Sequence, residues 1–170
     1  MTMDIKLTMN FSLSEFKGVY PDKRLIFILQ WLRTKTGAPV HITDSVRTTS
    51  EHVERYMKLE KENKIPTLGN GLGTKPLIEV IPWESRHLCE FNKPELRAVD
   101  IVCDKKEGGV YTGLSIYKMV KQAIASPEML IMLDSYDIKD KEIYTGVGIG
   151  RQFIHLDIDR ERNVTWGYGY

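Results

Sequence analysis

The residues best suited to chemistry lie near the end of the chain, where a histidine and an aspartate stand two positions apart. His155 and Asp157 belong to a short apolar run, and a glycine-rich segment at 146–150, predicted as a turn, precedes them. On a β-strand, residues i and i+2 project to the same face. The pair can therefore place a metal ligand beside a proton-transfer group. The other interpretation open at this point is a half-buried strand end with a hydrogen-bonded histidine.

Two further residues of ligand type lie upstream. His87 follows Ser85 by two positions, and Asp100 lies within the apolar run 98–102. Together with His155 they form a His/Asp/His set. Two neutral imidazoles and one carboxylate suit a zinc ion, Zn2+, that keeps a fourth position open for water.

The cysteines do not define a scaffold. Cys89 and Cys103 are the only two in the chain, and no C-x-x-C spacing is present. Partly buried core thiols are one interpretation, and zinc ligation is the sharper alternative.

Length and charge set the broad class. The 170 residues fit one domain, predicted to cover 1–170, and the net charge of +1 gives no general attraction to nucleic acid or anionic membrane. No apolar run approaches the length of a membrane span. The N-terminus lacks the basic-then-apolar layout of a signal peptide, so synthesis in the cytoplasm without export by that route is expected.

The elements that must position these residues follow from apolar spacing and from turn residues. The predicted helices cover 22–36, 49–61 and 113–125, the predicted strands cover 40–43, 77–81, 96–103, 152–158 and 163–166, and 129–133 is either a strand or a helix end. The glycine-rich stretch 66–76 is predicted to be a loop. The fold class is therefore a single α+β domain with helices packed on one side of a mostly antiparallel sheet.

A few side chains outside the histidine–aspartate set also invite predictions. His41 is expected to point outward or to be satisfied by a partner, and His52, on a polar helix, to be solvated. Leu114 is expected to point inward from its helix. Tyr168 and Tyr170 either pack against the edge of the core or stack on a partner.

A series of short motifs follows along nearly the whole chain. They are Phe11-Ser12-Leu13-Ser14-Glu15-Phe16, Ile42-Thr43-Asp44-Ser45-Val46-Arg47, Ser85-Arg86-His87, Ala98-Val99-Asp100, Gly146-Val147-Gly148, Phe153-Ile154-His155-Leu156-Asp157 and Trp166. In this order, the motifs resemble those of the zinc D-alanyl-D-alanine peptidases, a group that includes phage peptidoglycan endopeptidases and the Hedgehog-type zinc domain.

The resemblance implies a Hedgehog/DD-peptidase-like fold and a zinc ion held by His87, Asp100 and His155. It also implies that Arg47 grips a substrate carboxylate or carbonyl, which suits a guanidinium fork. Ser85 either contacts substrate or caps a turn.

Two departures from the family pattern bear on the site. The family places its first histidine and its aspartate seven residues apart, whereas here they are thirteen apart. Residues 89–95 are expected to loop outward and to leave the ligands together. Gln152 stands where many members carry an acidic general base, so Asp157 becomes the candidate base, with Glu84 and Glu79 as substitutes.

The activity that the resemblance implies is hydrolysis of peptide bonds in bacterial peptidoglycan, in a stem peptide or a cross-link that contains D-residues. The expected place of action is the bacterial cell wall, during phage lysis or from a virion. The alternative is an inactive DD-peptidase-like module with a binding or structural role, for example in a phage particle.

Overall fold

The structure, a computed structural model, describes residues 8, 10–62, 87, 95–136, 143–158 and 163–168. The predicted strand at 77–81 and the predicted loop at 66–76 lie outside the described residues.

Within the described residues, four α-helices accompany one five-stranded sheet. The helices are α1 (Lys23–Thr36), α2 (Thr49–Lys61), α3 (Gly113–Ile124) and α4 (Pro127–Ser135), and a short 3-10 helix covers Leu13–Phe16. The strands are β1 (Val40–Asp44), β2 (Ala98–Cys103), β3 (Thr145–Ile149), β4 (Ile154–Ile158) and β5 (Val164–Gly167).

The strand order across the sheet is β1-β2-β4-β3-β5. The β1/β2, β2/β4 and β3/β4 pairs are antiparallel, and β5 lies parallel to β3 at one edge. The predicted fold class, an α+β domain with a mostly antiparallel sheet, is confirmed.

The sheet has one apolar face and one face that carries the candidate site. On the apolar face, alternate residues of β2 and β4 are fully buried among side chains of α1 and α3. They are Val99, Ile101, Cys103, Ile154, Leu156 and Ile158. Each large aliphatic side chain contributes about 1.5–3 kcal/mol by leaving water. The alternation sends Asp100, His155 and Asp157 to the opposite face, here called the site face.

Helix α1 forms where its apolar spacing predicts. Asp22 is the N-cap and accepts a hydrogen bond from the Arg24 backbone N–H, and Gly37 ends the helix with a left-handed φ of 60°. The predicted inward stripe is fully buried. It consists of Leu25, Ile28, Leu29 and Leu32.

Two local predictions are corrected or settled. The segment 146–150, predicted as a turn, is mostly strand β3, which pairs with β4 and β5. Glycine is compatible with both conformations, and the partner strands decide between them. The ambiguous segment 129–133 is helical, within α4, where Ser126 caps the N-terminus and Pro127 occupies the first turn.

Two side-chain predictions are wrong. Leu114 is 52% exposed, because the buried stripe of α3 runs through Ile116 and Val120, and Leu114 lies on the other side of the helix. His52 is fully buried and its ring packs 5.1 Å from that of Tyr56, because a mostly polar helix still turns one side inward. His41 is exposed and contacts the Asp104 carboxylate, in agreement with the prediction.

Candidate metal centre

The site is built on a row of residues that crosses all five strands. Asp44 pairs with Asp100, Asp100 with His155, His155 with Gly148, and Gly148 with Trp166. A register irregularity between Ile42 and Asp44 brings Asp44 into the row. Because directly paired residues share a face of the sheet, the row places two carboxylates, an imidazole and an indole in sequence along the site face.

Three ligand atoms meet at the centre of this row. The Nδ1 atom of His155 lies 2.8 Å from Oδ1 of Asp100 and 3.1 Å from Nε2 of His87. The remaining side of the triangle, from Nε2 of His87 to Oδ1 of Asp100, is 3.6 Å. A tetrahedral zinc ion with bonds of about 2.0–2.2 Å has ligand–ligand separations of about 3.3–3.6 Å. The fold therefore brings together the predicted His/Asp/His set as a group able to hold a metal ion.

Each imidazole is fixed from its outer side. Nδ1 of the buried His87 contacts the carbonyl oxygen of Ser45, and Nε2 of His155 lies 3.1 Å from Oδ2 of Asp157. A carbonyl and a carboxylate only accept hydrogen bonds, so both outer nitrogens carry the proton. The two inner nitrogens face the Asp100 carboxylate, as they must to bind a metal ion together with it.

The pKa shifts follow from the same contacts. Burial disfavours the charged form of Asp100, but a hydrogen bond from His155 and the nearby His87 imidazole outweigh burial and hold the pKa of this carboxyl well below its usual range. Burial lowers the pKa of His87. Burial also opposes the charging of His155, yet the hydrogen bonds to Asp100 and Asp157 raise its pKa. Asp100 is therefore ionised at neutral pH and the neutral form of His87 is favoured, as metal ligation requires, whereas the charged form of His155 is favoured and must lose a proton before it binds a metal.

Asp157 lies behind a ligand. Its carboxylate is fully buried and contacts the outer nitrogen of His155, so the imidazole ring stands between Asp157 and the three ligand atoms. The neighbours of Asp157 across the sheet are the small residues Ala98 and Gly146. A general base must face the ligand side of the site. That role for Asp157 stays a prediction, and the contact favours orientation of His155 instead.

Arg47 is engaged within the protein. Its Nε lies 2.9 Å from Oδ2 of Asp44, its Nη2 contacts the same oxygen, and Nη2 is 3.8 Å from Oδ2 of Asp100. The side chain is only 10% exposed. Its backbone N–H donates to the carbonyl oxygen of His87 at 3.0 Å. Arg47 therefore braces the His87 segment and balances charge beside Asp100, and its predicted grip on substrate stays a prediction.

An aromatic wall borders the site on the β5 side. The ring of Trp166 lies 5.5 Å from the ring of His155, and Tyr168 packs 6.4 Å from Trp166. A Cβ atom added to Gly148 would lie 2.6 Å from Nε1 of Trp166 and 2.5 Å from the Tyr168 ring. The missing side chain of Gly148 therefore lets the wall approach His155. The alternating glycines at 146, 148 and 150 could have indicated this in the sequence, because they suit a strand without side chains on one face.

The remaining candidates are distributed as follows. Cys103 is fully buried on the apolar face, where burial raises the pKa of its thiol to about 12, so the core interpretation holds for this cysteine. Ser85, Glu84, Glu79 and Cys89 lie outside the described residues. So do residues 88–94, which include most of the segment expected to loop outward.

No family model matches the chain, and no curated protein matches it either. In the part of the chain that the structure describes, no helix is both long and apolar enough to cross a membrane. The geometry of the site is therefore the main guide to function, and the resemblance to zinc peptidases stays a prediction.

Proposed function

We propose that the protein is a zinc-dependent hydrolase of peptide bonds, and that its substrates are peptidoglycan stem peptides or cross-links containing D-residues. One observation carries the metal-dependent part of the proposal. One nitrogen of each imidazole and one carboxylate oxygen meet in a triangle with sides of 2.8, 3.1 and 3.6 Å.

The number of ligands favours catalysis over a structural role. Among the described residues the group contains three ligands, His87, Asp100 and His155. Structural zinc sites are usually closed by four protein ligands, whereas catalytic sites keep one position open. Zinc at this position supplies Lewis-acid polarisation of a carbonyl and lowers the pKa of a water molecule to about 7.

The residues of this chain would hold and tune the site. His87 and His155 offer ring nitrogens whose direction is set by the Ser45 carbonyl and the Asp157 carboxylate. Asp157 keeps the proton on the outer nitrogen of His155 and strengthens the inner nitrogen as a donor to metal. Peptide bonds are proposed as the substrate because the order of motifs along the chain resembles that of the zinc D-alanyl-D-alanine peptidases.

A second candidate function is a metal-holding module that binds its target without hydrolysing it. Two observations favour it. Gln152, which cannot take up a proton, stands where many of the resembling enzymes carry a base. Asp157, the substitute candidate, is buried behind His155.

Two measurements on the purified protein separate these functions. Elemental analysis after dialysis is expected to find one zinc per chain in the wild type and none in His155→Ala. His41→Ala is the matched control, because His41 is an exposed histidine that contacts Asp104 instead of the site. Absence of zinc from the wild type, with no binding on titration, would overturn both candidates.

The second measurement is digestion of purified cell walls followed by mass spectrometry of soluble products. The zinc-loaded wild type is expected to release stem-peptide fragments or terminal D-alanine, and His155→Ala to release neither. Full zinc occupancy without any product would reject the hydrolase and support the binding module.

A further inference from the structure

A charged groove lies beside the candidate metal centre, and none of the three candidate ligands is among its described lining residues. The groove, about 440 Å³ in volume, lies against α2 and is called here the α2 groove. Counting the described residues alone, its lining combines four cationic and three acidic side chains, which leaves one positive charge in excess. The cationic side chains are Lys17, Arg47, Arg55 and Lys58.

The α2 groove reaches the metal ligands through Arg47. This side chain lines the groove, and its Nη2 atom lies 3.8 Å from Oδ2 of Asp100. The contacts that join Arg55 to Asp100 run through Asp44 and Arg47. A group held beside Arg55 would therefore lie within a few residues of a bond positioned at the centre, because extended peptide residues span about 3.3–3.6 Å each.

The cations of the groove differ in how firmly they are engaged. Arg47 is 10% exposed and contacts Asp44 through two nitrogens. Arg55 is 50% exposed and reaches the same Asp44 oxygen with one nitrogen, Nη1, at 3.3 Å. One carboxylate therefore serves two guanidinium groups, and Arg55 retains both solvent access and donors for an anion.

Lys58 adds to the exposed charge. It lies three residues after Arg55 on α2, so both side chains occupy neighbouring positions on the helix surface. Among the described residues, no ion pair involves the Lys58 ammonium. Lys17 differs, because it contacts the carbonyl oxygen of Val46 at 2.8 Å and Glu51 at 3.4 Å. Arg55 and Lys58 are thus the least engaged of the four described cations of the groove.

We infer that the α2 groove binds a carboxylate of an acidic peptide substrate, with Arg55 as the residue that contacts it and Lys58 beside it. This inference rests on the proposed peptide-hydrolase function and names its substrate class, a peptide with a free carboxylate within a few residues of the scissile bond. Arg47 then acts as a positioning residue for Asp100 and the His87 segment.

The test uses the zinc-loaded full chain and three synthetic stem pentapeptides. The first carries all its carboxylates, the second has a C-terminal amide, and the third has an amide on the side-chain carboxyl of its acidic residue. Isothermal titration gives the Kd for each peptide, and product analysis gives KM and kcat. The wild type is expected to bind one amidated peptide about 10–100-fold more weakly than the first, the range of a hydrogen bond to a charged group.

Arg55→Gln is expected to remove that discrimination by raising the Kd and KM for the carboxylate form while kcat stays unchanged. Lys118→Gln, which removes an exposed lysine from α3, is the charge-matched control and is expected to retain the discrimination. Equal wild-type affinity for all three peptides would overturn the inference, as would discrimination that survives in Arg55→Gln. Binding with discrimination but without products would instead reject the hydrolase and leave the groove assignment standing.

Discussion

The two histidines of the candidate centre are held by contacts on their outer sides. The Ser45 carbonyl sets the direction of His87, and the Asp157 carboxylate sets that of His155. These contacts determine which nitrogen carries the proton, so the ligating atoms are arranged before any metal arrives. Residues behind a ligand commonly change metal affinity about 10–100-fold when they are replaced.

Asp157→Asn is expected to weaken zinc binding about 10–100-fold, because an amide can present N–H groups to Nε2 and disfavour the required tautomer. Competition with a chromophoric chelator measures the affinity. Asp104→Asn is the matched control, since Asp104 lies 2.9 Å from the exposed His41, and unchanged affinity is expected. Unchanged zinc affinity in Asp157→Asn together with lost hydrolysis would contradict the orienting role and favour the general-base prediction.

The buried thiol of Cys103 predicts a pH effect on stability. Its pKa is raised by burial to about 12 in the folded chain, whereas an unfolded cysteine titrates near about 8.5. The buried neutral thiol therefore makes its full contribution to the free energy of unfolding below about pH 8.5. Above that pH the unfolded thiol ionises while the folded thiol does not, so this contribution falls by up to about 1.4 kcal/mol per pH unit until about pH 12. Urea unfolding at pH 8 and pH 10 measures this loss.

Cys103→Ala provides the reference for the thiol prediction, because other groups titrate equally in both proteins. The difference in unfolding free energy between wild type and variant is expected to shrink by about 2 kcal/mol between pH 8 and pH 10. A difference that stays constant across this range would contradict the raised pKa of the thiol in the folded chain.

At the scale of elements, β3 determines how closely the aromatic side chains of Trp166 and Tyr168 can approach His155. Gly148 pairs with His155 on one side and with Trp166 on the other, in the middle of the row that crosses the sheet. The rings of Trp166 and Tyr168 lie directly over the glycine. A strand with a side chain at this position would push the aromatic wall away from His155.

Gly148→Ala is expected to destabilise the protein by about 1–3 kcal/mol, the usual cost of overpacking. The added Cβ would lie 2.5–2.7 Å from ring atoms of Trp166 and Tyr168. Gly167→Ala, on the neighbouring strand, is the matched control, because nothing lies within 4 Å of its Cβ position. Urea unfolding compares the two variants, and equal stability would contradict the close packing on Gly148.

At the scale of the whole molecule, the candidate centre links separate parts of the chain. Asp100 lies on β2, His155 on β4, and His87 in a turn joined by hydrogen bonds to Ser45 and Arg47. A metal bound by all three connects two central strands to the segment that follows β1. Ligand binding to the folded state alone stabilises that state by mass action.

Free zinc at about 100 times its Kd is expected to stabilise the folded chain by about 2.7 kcal/mol. For a chain of this size, that corresponds to a rise of about 5–10 °C in Tm. Differential scanning calorimetry of the metal-free protein with and without zinc measures the shift. His155→Ala should show almost none, and an equal shift in that variant would place the zinc elsewhere.

Several features were predictable from the sequence because their causes are local. The apolar spacing of Leu25, Ile28 and Leu32, between Asp22 and Gly37, is sufficient to define α1, since caps and periodicity act within a few turns. The α+β class follows from the order of such elements. The ligand set was also predictable as residue types, because imidazole and carboxylate groups in the order of His87, Asp100 and His155 suit zinc.

Tertiary structure decided everything that depends on strand register and on which side of an element turns inward. Whether residues 146–150 form a turn or a strand depends on pairing with β4 and β5, which are brought together by the whole fold. The same pairing puts Trp166 beside His155. The burial of His52 and the position of Asp157 behind His155 arise from contacts between segments distant in sequence. Local propensity cannot predict such contacts, because their free energy comes from burial and from hydrogen bonds that form only when the chain is folded.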